Sequence, residues 1–258
     1  MTNNASLPIT AQGTTVVIWT YTDENGLSST QNQNVIITDA TPPVPDVATL
    51  GDVTAECEVT SLTAPTATDN CGGVVTVTNN ASLPITAQGA TVVIWTYTDE
   101  NGLSSTQNQN VIITDATPPV PDVATLGDVT AECEVTSLTA PTATDNCGGV
   151  VTVTNTASLP ITAQGTTVVI WTYTDENGLS STQNQNVIIT DATPPVPDVA
   201  TLGDVTAECE VTSLTAPTAT DNCGGVVTVT NNASLPITAQ GTTVVIWTYT
   251  DENGLSST

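Results

Sequence analysis

The sequence predicts an all-β protein made of tandem antiparallel β-sandwiches that follow one another in an extended rod. The motif Ala-Ser-Leu-Pro begins again every 76 residues, at Ala5, Ala81, Ala157 and Ala233. A repeat of this length indicates an array of modules. Apolar residues in each copy alternate with polar ones or form short β-branched runs, which is typical of strands, and no stretch has the helical period.

The clearest strand in one repeat is Thr91 to Thr98, in which Val93, Trp95 and Tyr97 share one face. Because Trp95 and Tyr97 are the only aromatic residues of the repeat, we expect this face to form the core. The sequence predicts further strands at 52–56, 58–62, 74–78 and 105–114, separated by turn-forming segments at 65–73, 79–84 and 99–102.

The repeat boundaries divide the chain into four predicted domains. Segment 1–39 is the C-terminal part of a truncated repeat, 40–115 and 116–191 are complete repeats, and 192–258 is a repeat without its last strand. Paired prolines follow each boundary and favour short, extended linkers. Met1 stands where the other copies have Val inside a strand, so we expect the chain to be a window of a longer array.

The charge of the chain excludes several function classes. Lys, Arg and His are absent, 26 residues are acidic and the net charge is −26. No side-chain salt bridge is available, and nucleic acid and direct membrane insertion are not expected of this segment. Ser and Thr hydroxyls have no usual general base, so we predict that the protein is not an enzyme.

Specific motifs then point to a family. The linker Thr41-Pro42-Pro43, the stretch 65–77 with Thr-Ala-Thr-Asp-Asn, and the pattern from Trp95 to Gly102 resemble the hyalin-repeat (HYR) family, particularly HYR-like modules of very large bacterial surface proteins. Leu103 departs from the Asn usual in that family. The resemblance implies immunoglobulin-like sandwiches and an extracellular adhesive or structural role, without activity.

An immunoglobulin-like strand order would place the 65–73 loop and the 99–102 turn at the pole where the chain enters the repeat. Acids and amides would then gather at each junction, and oxygen-only clusters suit Ca²⁺ better than Mg²⁺ or zinc. A solvated acidic surface is the alternative. The candidate residues are Asp39, Asp69, Asn70, Asp99, Glu100 and Asn101; Asp115, Asp145, Asn146, Asp175, Glu176 and Asn177; and Asp191, Asp221, Asn222, Asp251, Glu252 and Asn253.

Each of the three repeats after residue 39 contains two cysteines, and repeat symmetry favours a disulfide within each one. The predicted pairs are Cys57 with Cys71, Cys133 with Cys147, and Cys209 with Cys223. Disulfides indicate an oxidising, extracellular location. A full-length strand between the two cysteines would place them at opposite poles, so either this strand is short or the pairing is wrong. A zinc site is a further alternative, although it lacks close Cys-x-x-Cys spacing and any His.

These observations together favour a structural role. We expect a stalk or filament segment of a large bacterial adhesin at the cell surface, stiffened by calcium and disulfides. Its partners would be neighbouring repeats of the same longer chain, with self-association into filaments as an extension. The alternatives are a repeated carbohydrate- or surface-binding module that acts by multivalency, and a self-assembling filament subunit.

Overall fold

The computed structural model describes all residues, 1–258, as strands, turns and loops without a helix. It divides into two compact units, Met1–Ala116 and Thr117–Thr258. The first unit contains β1 (Thr2–Asn3), β2 (Gly13–Thr22), β3 (Ser28–Ile37), β4 (Val44–Pro45), β5 (Val53–Ala55), β6 (Ala67–Thr68), β7 (Thr76–Asn79), β8 (Gly89–Thr98) and β9 (Ser104–Ile113). The second contains β10 (Val120–Pro121), β11 (Val129–Ala131), β12 (Ala143–Thr144), β13 (Thr152–Asn155), β14 (Gly165–Thr174), β15 (Ser180–Ile189), β16 (Val196–Pro197), β17 (Ala219–Thr220), β18 (Thr228–Asn231), β19 (Trp247–Thr250) and β20 (Ser256–Ser257).

Each complete repeat has one four-stranded sheet and one small two-stranded sheet. The large sheet of the first unit has the order β5-β9-β8-β7, and β4 pairs with β6. The second unit repeats this arrangement with β11-β15-β14-β13 and with β10 beside β12. The predicted all-β, immunoglobulin-like sandwich class is confirmed.

The core lies on the predicted face of β8. Val93 and Trp95 are 1% exposed and Tyr97 is 0% exposed, whereas Val92 and Ile94 on the other face are exposed. The period of two along β8 therefore separates core from solvent, as the sequence predicts.

Glutamines on β9 connect this core to the segment between β4 and β5. Trp95 Nε1 donates to Gln109 Oε1 at 2.9 Å, and Gln109 Nε2 donates to the carbonyl of Gly51 at 3.0 Å. Tyr97 forms the equivalent contact with Gln107 at 2.7 Å. The polar atoms of both buried aromatics are thus paired, as buried polar groups must be.

Two strand predictions differ from the structure. The sheet is mixed, because β5 runs parallel to β9 with Val53 opposite Val111. Segment 58–62 is not a strand and contributes one bridge, between Val59 and Ile85. The two-residue strands β4 and β6 were not predicted, since a pair so short has no alternation to detect.

Candidate metal centres

The loop after β6 and the turn after β8 meet at one pole of the repeat. The carboxylate of Glu100, in the turn, accepts the backbone N–H of Val74 at 3.2 Å through Oε1. Gly73 permits this approach, because its φ is +96° and a Cβ there would lie 3.4 Å from the Glu100 carboxyl carbon. Glu176 and Glu252 form the same contact in the later repeats, with the N–H groups of Val150 at 3.4 Å and Val226 at 3.2 Å.

The turn acid is fixed by its own backbone. Asp99 Oδ1 accepts the N–H groups of Asn101 at 2.8 Å and Leu103 at 2.9 Å. Asp99 Oδ2 is buried and has no hydrogen-bond partner. One carboxylate oxygen of Asp99 is therefore hydrogen-bonded within the turn, and the other has no partner. Asp175 and Asp251 show the same arrangement.

The two carboxylate oxygens of the loop acid also differ in their hydrogen bonding. Asp69 Oδ2 accepts the N–H of Cys71 at 2.8 Å, while Oδ1 is buried without a partner. Asp145 and Asp221 repeat both features. A buried carboxylate oxygen without a partner is costly, and no cationic side chain exists in this chain to satisfy it.

The linker acid joins the loop acid at the junction inside each unit. In the first unit, ligand atoms of Asp39, Asp69 and Cys71 lie within 4.8 Å of one another. In the second unit, Asp191, Asp221 and Cys223 form the equivalent cluster. We call these the first and the second junction clusters.

The linker acids also shape their own segments. Asp39 Oδ1 accepts the N–H of Thr41 at 3.1 Å, and Asp191 Oδ1 accepts that of Thr193 at 3.2 Å. Asp115 donates its N–H to Gln88 Oε1 at 3.1 Å within the first unit.

Other predicted candidates lie outside the junction clusters. The turn acids and glutamates share the pole but are not members of the clusters. Asn101 and Asn177 contribute backbone N–H groups to the turn. Asn222 contacts sulfur instead, because its Nδ2 lies 3.4 Å from Cys133 Sγ and 3.5 Å from Cys223 Sγ.

The predicted disulfides within each repeat are wrong. Cys133 bonds to Cys223 of the next repeat, with Cα atoms 4.9 Å apart, whereas Cys71 and Cys209 are free. Cys57 and Cys147 are also disulfide-bonded. The reason is the parallel strand: β11 runs beside β15 and ends at the exit pole, where Thr190 donates to the carbonyl of Ala131 at 3.0 Å.

Glu132 contacts the linker and was not among the candidates predicted from the sequence. It precedes Cys133 and accepts hydrogen bonds from Thr193 Oγ1 and from the N–H of Ala192, the latter at 3.4 Å. The Thr193 hydroxyl is the main cause of the lowered pKa of Glu132. Glu132 thus holds the linker that carries Asp191. In the sequence, only its position next to Cys133 could have identified it as a candidate.

The free thiol in the first junction cluster is chemically distinct. The pKa of Cys71 is raised by desolvation first and then by the negative charge and hydrogen bond of Asp39. A protonated thiol is a poor metal ligand. In the second cluster the Cys223 sulfur is already bonded to carbon and sulfur. The carboxylates are therefore the donors common to both clusters.

This donor set fits a hard divalent cation. Carboxylate oxygens in irregular geometry are the ligands that Ca²⁺ prefers. One buried oxygen of each loop acid has no hydrogen-bond partner, and a cation at this pole would satisfy it. Asp39 with Asp69, and Asp191 with Asp221, are the residues that would hold it.

The chain lacks a helix long and apolar enough to cross a membrane. Residues 116–190 match the family described as HYR-like domain with 4 cysteines. Hyalin from Strongylocentrotus purpuratus is 36% identical over 276 residues, which cover 94% of this chain and 22% of that protein. Hyalin from Lytechinus variegatus is 33% identical over 276 residues, which cover 95% and 51%. The chain therefore spans about a fifth and about half of these relatives.

Two solved extracellular structures align with the chain. The protocadherin γB4 extracellular domain has 15% identity and a TM-score of 0.35, over 95% of this chain and 52% of that chain. The human desmocollin-1 ectodomain has 12% identity and a TM-score of 0.28, over 95% and 63%.

The family match and the hyalins bear out the location predicted from the sequence, which is extracellular and at the cell surface. They also support the repeat type, since the matched segment recurs almost unchanged along the chain. Residues 116–190 thus match an HYR-like domain, and the chain is similar to the hyalins over most of its length.

Proposed function

We propose that this chain is a stalk segment of a large extracellular adhesin, in which calcium ions and disulfides hold each repeat to the next. The observation that carries the proposal is the pair of acids at each junction cluster. One acid comes from the linker and one from the next repeat, and the loop acid has a buried oxygen without a partner. A cation bound by both would fix the linker against the repeat.

The disulfide supports the same role. Cys133 and Cys223 join two consecutive repeats covalently, and Glu132 holds the linker between them. A module that served only as an independent binding domain would not need this connection. Joints reinforced in two ways suit a segment that transmits force.

The proposed role is non-catalytic. The junction has carboxylates but no histidine or lysine to act with them, and the only hydroxyl bonded to Glu132 anchors the linker. The bacterial host is a separate part of the proposal. It rests on the resemblance to bacterial repeat modules, whereas the two relatives described above are sea-urchin hyalins.

The alternative of a carbohydrate-binding module loses its main support. Such a module would use an exposed aromatic ring to stack on a sugar. In the complete repeats Trp95, Tyr97, Trp171 and Tyr173 are all at most 2% exposed. Their polar atoms are also occupied by glutamine side chains.

Thermal unfolding with and without calcium tests the proposal. At a free concentration one hundred times its Kd, a ligand that binds only the folded state stabilises it by about 2.7 kcal/mol per site. We expect the melting temperature to rise by on the order of 10 °C in calcium and to fall again with excess chelator. Magnesium at the same concentration serves as the control for ionic strength. Identical melting curves in calcium and chelator would overturn the calcium assignment.

A further inference from the structure

An exposed Asn-x-Ser sequence follows the edge strand β7. It is Asn80-Ala81-Ser82, and it recurs as Asn4-Ala5-Ser6 and as Asn232-Ala233-Ser234. In secreted proteins this sequence is the acceptor for N-linked oligosaccharides, provided that the middle residue is not Pro. Asn80 and Ser82 are both exposed, so the two side chains that define the acceptor lie at the surface.

The side chain of Asn80 is held through its oxygen. Asn80 Oδ1 accepts the backbone N–H of Ile94 at 2.8 Å, and the backbone N–H of Asn80 donates to the carbonyl of Ile94 at 3.3 Å. Because Ile94 presents an N–H donor, the amide atom that faces it must be the oxygen. The amide nitrogen, to which an oligosaccharide would be attached, is therefore turned away from β8, and it donates no hydrogen bond to the protein.

The other two acceptor sequences have the same geometry. Asn4 Oδ1 accepts the N–H of Ile18 at 2.8 Å, and Asn232 Oδ1 accepts that of Ile246 at 2.8 Å. Both asparagines are exposed. The free amide nitrogen is thus a property of the repeat and not of one copy.

The repeat 116–191 shows what the fold itself requires at this position. Thr156 replaces the asparagine there, and its Oγ1 accepts the N–H of Ile170 at 3.0 Å. A hydroxyl oxygen therefore serves the fold as the amide oxygen does. The fold uses an acceptor oxygen at this position and has no use for the amide nitrogen of Asn80, which leaves that nitrogen available for modification.

The surroundings of this position are open enough for a bulky group. Thr156, Ser158 and Pro160 line an open hollow of about 290 Å³ in the repeat 116–191. β7 and β13 are edge strands of their sheets, so no further strand of the sheet lies beside the segment that follows either of them. An oligosaccharide is bulky and must remain in solvent, and this position meets that requirement.

We propose that Asn80 carries an N-linked oligosaccharide and that Asn4 and Asn232 are sites of the same kind. The donor is an oligosaccharide linked to a lipid pyrophosphate. The amide nitrogen loses one proton and bonds to the anomeric carbon of the first sugar, while the bond from that carbon to the pyrophosphate oxygen breaks. The lipid pyrophosphate leaves with the electron pair of the broken bond, and the proton passes to a base of the transferase.

This inference is independent of calcium binding and of the bacterial host proposed above. It rests on the acceptor sequence, the free amide nitrogen and the extracellular location. It requires only that the cells that secrete the protein contain an oligosaccharyltransferase.

Mass spectrometry of the protein isolated from its own cells tests the modification. The chain has no Lys or Arg, so the reduced and alkylated protein is digested with a protease that cleaves after Glu. Asn80 then lies in peptide 59–100 and Thr156 in peptide 135–176, and these peptides differ at only one further position. We expect an oligosaccharide on the first peptide, and peptide N-glycosidase should release it and convert Asn80 to Asp. The second peptide is the internal control and should carry none.

Three variants, secreted by eukaryotic cells, test the acceptor residues. Asn80→Thr should lose one oligosaccharide, and after deglycosylation it should melt as the wild type does, because Thr156 shows that threonine keeps the backbone contact. Ser82→Ala should lose the same oligosaccharide although Asn80 is retained. Thr156→Asn creates the sequence Asn-Ala-Ser and should gain one oligosaccharide, on peptide 135–176.

Two results would overturn the proposal. One is a peptide 59–100 from the native protein that carries no carbohydrate. The other is an equal amount of carbohydrate on peptides 59–100 and 135–176 of the native protein, since it would show attachment to hydroxyl groups that both peptides share.

Discussion

Asp221 accepts the backbone N–H of Cys223 at 2.8 Å, so one carboxylate connects the acidic junction to the disulfide between repeats. Its Oδ2 serves the loop and its Oδ1 is buried without a partner. One oxygen of Asp221 therefore holds the loop, and we propose that the other binds a cation. Substitutions of it can separate these two roles.

Asp221→Asn should have opposite effects with and without calcium. Asparagine keeps an oxygen for the N–H of Cys223 but removes the negative charge beside Asp191. We expect equal or higher stability in chelator, because repulsion between two acids is relieved. In calcium we expect a smaller rise in melting temperature than for the wild type.

Asp204→Asn is the control for this charge change, because Asp204 is exposed and belongs to no cluster. Calorimetric titration with calcium should give fewer sites or weaker binding for Asp221→Asn only. An unchanged titration would contradict the assignment of Asp221 as a ligand.

Removal of the disulfide should destabilise the second unit. Cys133→Ser with Cys223→Ser opens a loop with a sequence separation of 90 residues. The chain-entropy expression gives about 4.5 kcal/mol for a loop of this size, and native strain reduces the measured value. Urea unfolding of the double variant, compared with Cys71→Ser, measures the difference. Since Cys71 is already free, its substitution should change stability little.

The hydrogen bond from Trp95 to Gln109 should contribute to the free energy of unfolding. Gln109→Met leaves Trp95 Nε1 without an acceptor and removes the bond to Gly51. We expect a loss of about 1–3 kcal/mol in the free energy of unfolding. Asn108→Met is the control, because Asn108 is exposed on the other face of β9. Urea denaturation followed by tryptophan fluorescence compares the two.

The pKa of Asp46 predicts a contribution to acid stability. Hydrogen bonds from Thr66 first and from Thr68 second lower this pKa below its usual 3.8. Because the folded pKa is the lower one, the contribution is present above pH 3.8 and is lost as the pH falls through the folded value. Thr68→Val should raise the pKa of Asp46, since the 2.7 Å bond from Thr68 Oγ1 disappears.

An NMR titration of the Asp46 side chain measures this pKa directly. The variant should also lose stability at a higher pH than the wild type. An unchanged titration curve would mean that the Thr68 hydroxyl does not set the ionisation of Asp46.

The strands of the core could be predicted from local pattern, but their partners could not. Alternation identifies Val93, Trp95 and Tyr97 as one buried face, because successive side chains of a strand point to opposite faces of the sheet. The parallel pairing of Val53 with Val111 joins residues far apart in the chain. Nothing local in either segment specifies that partner or its direction.

The same limit applies to the cysteines and the acids. Repeat symmetry is satisfied whether Cys133 pairs with Cys147 in its own repeat or with Cys223 in the next one, so the sequence does not decide between them. The direction of β11 does decide. Gathering of the loop and turn acids at one pole followed from the fold class. The unpartnered oxygen on Asp221 depends on side-chain geometry and has no signature in the sequence.

The bond between Cys133 and Cys223 also limits how far the protein can be stretched. A sequence separation of 90 residues corresponds to roughly 300 Å of fully extended chain, at 3.3–3.6 Å per residue. That contour length stays locked while the disulfide is intact, even if the strands within it unfold under load. Reduction would release it at once, so the redox state of one bond determines whether this part of the chain acts as a short tether or a long one.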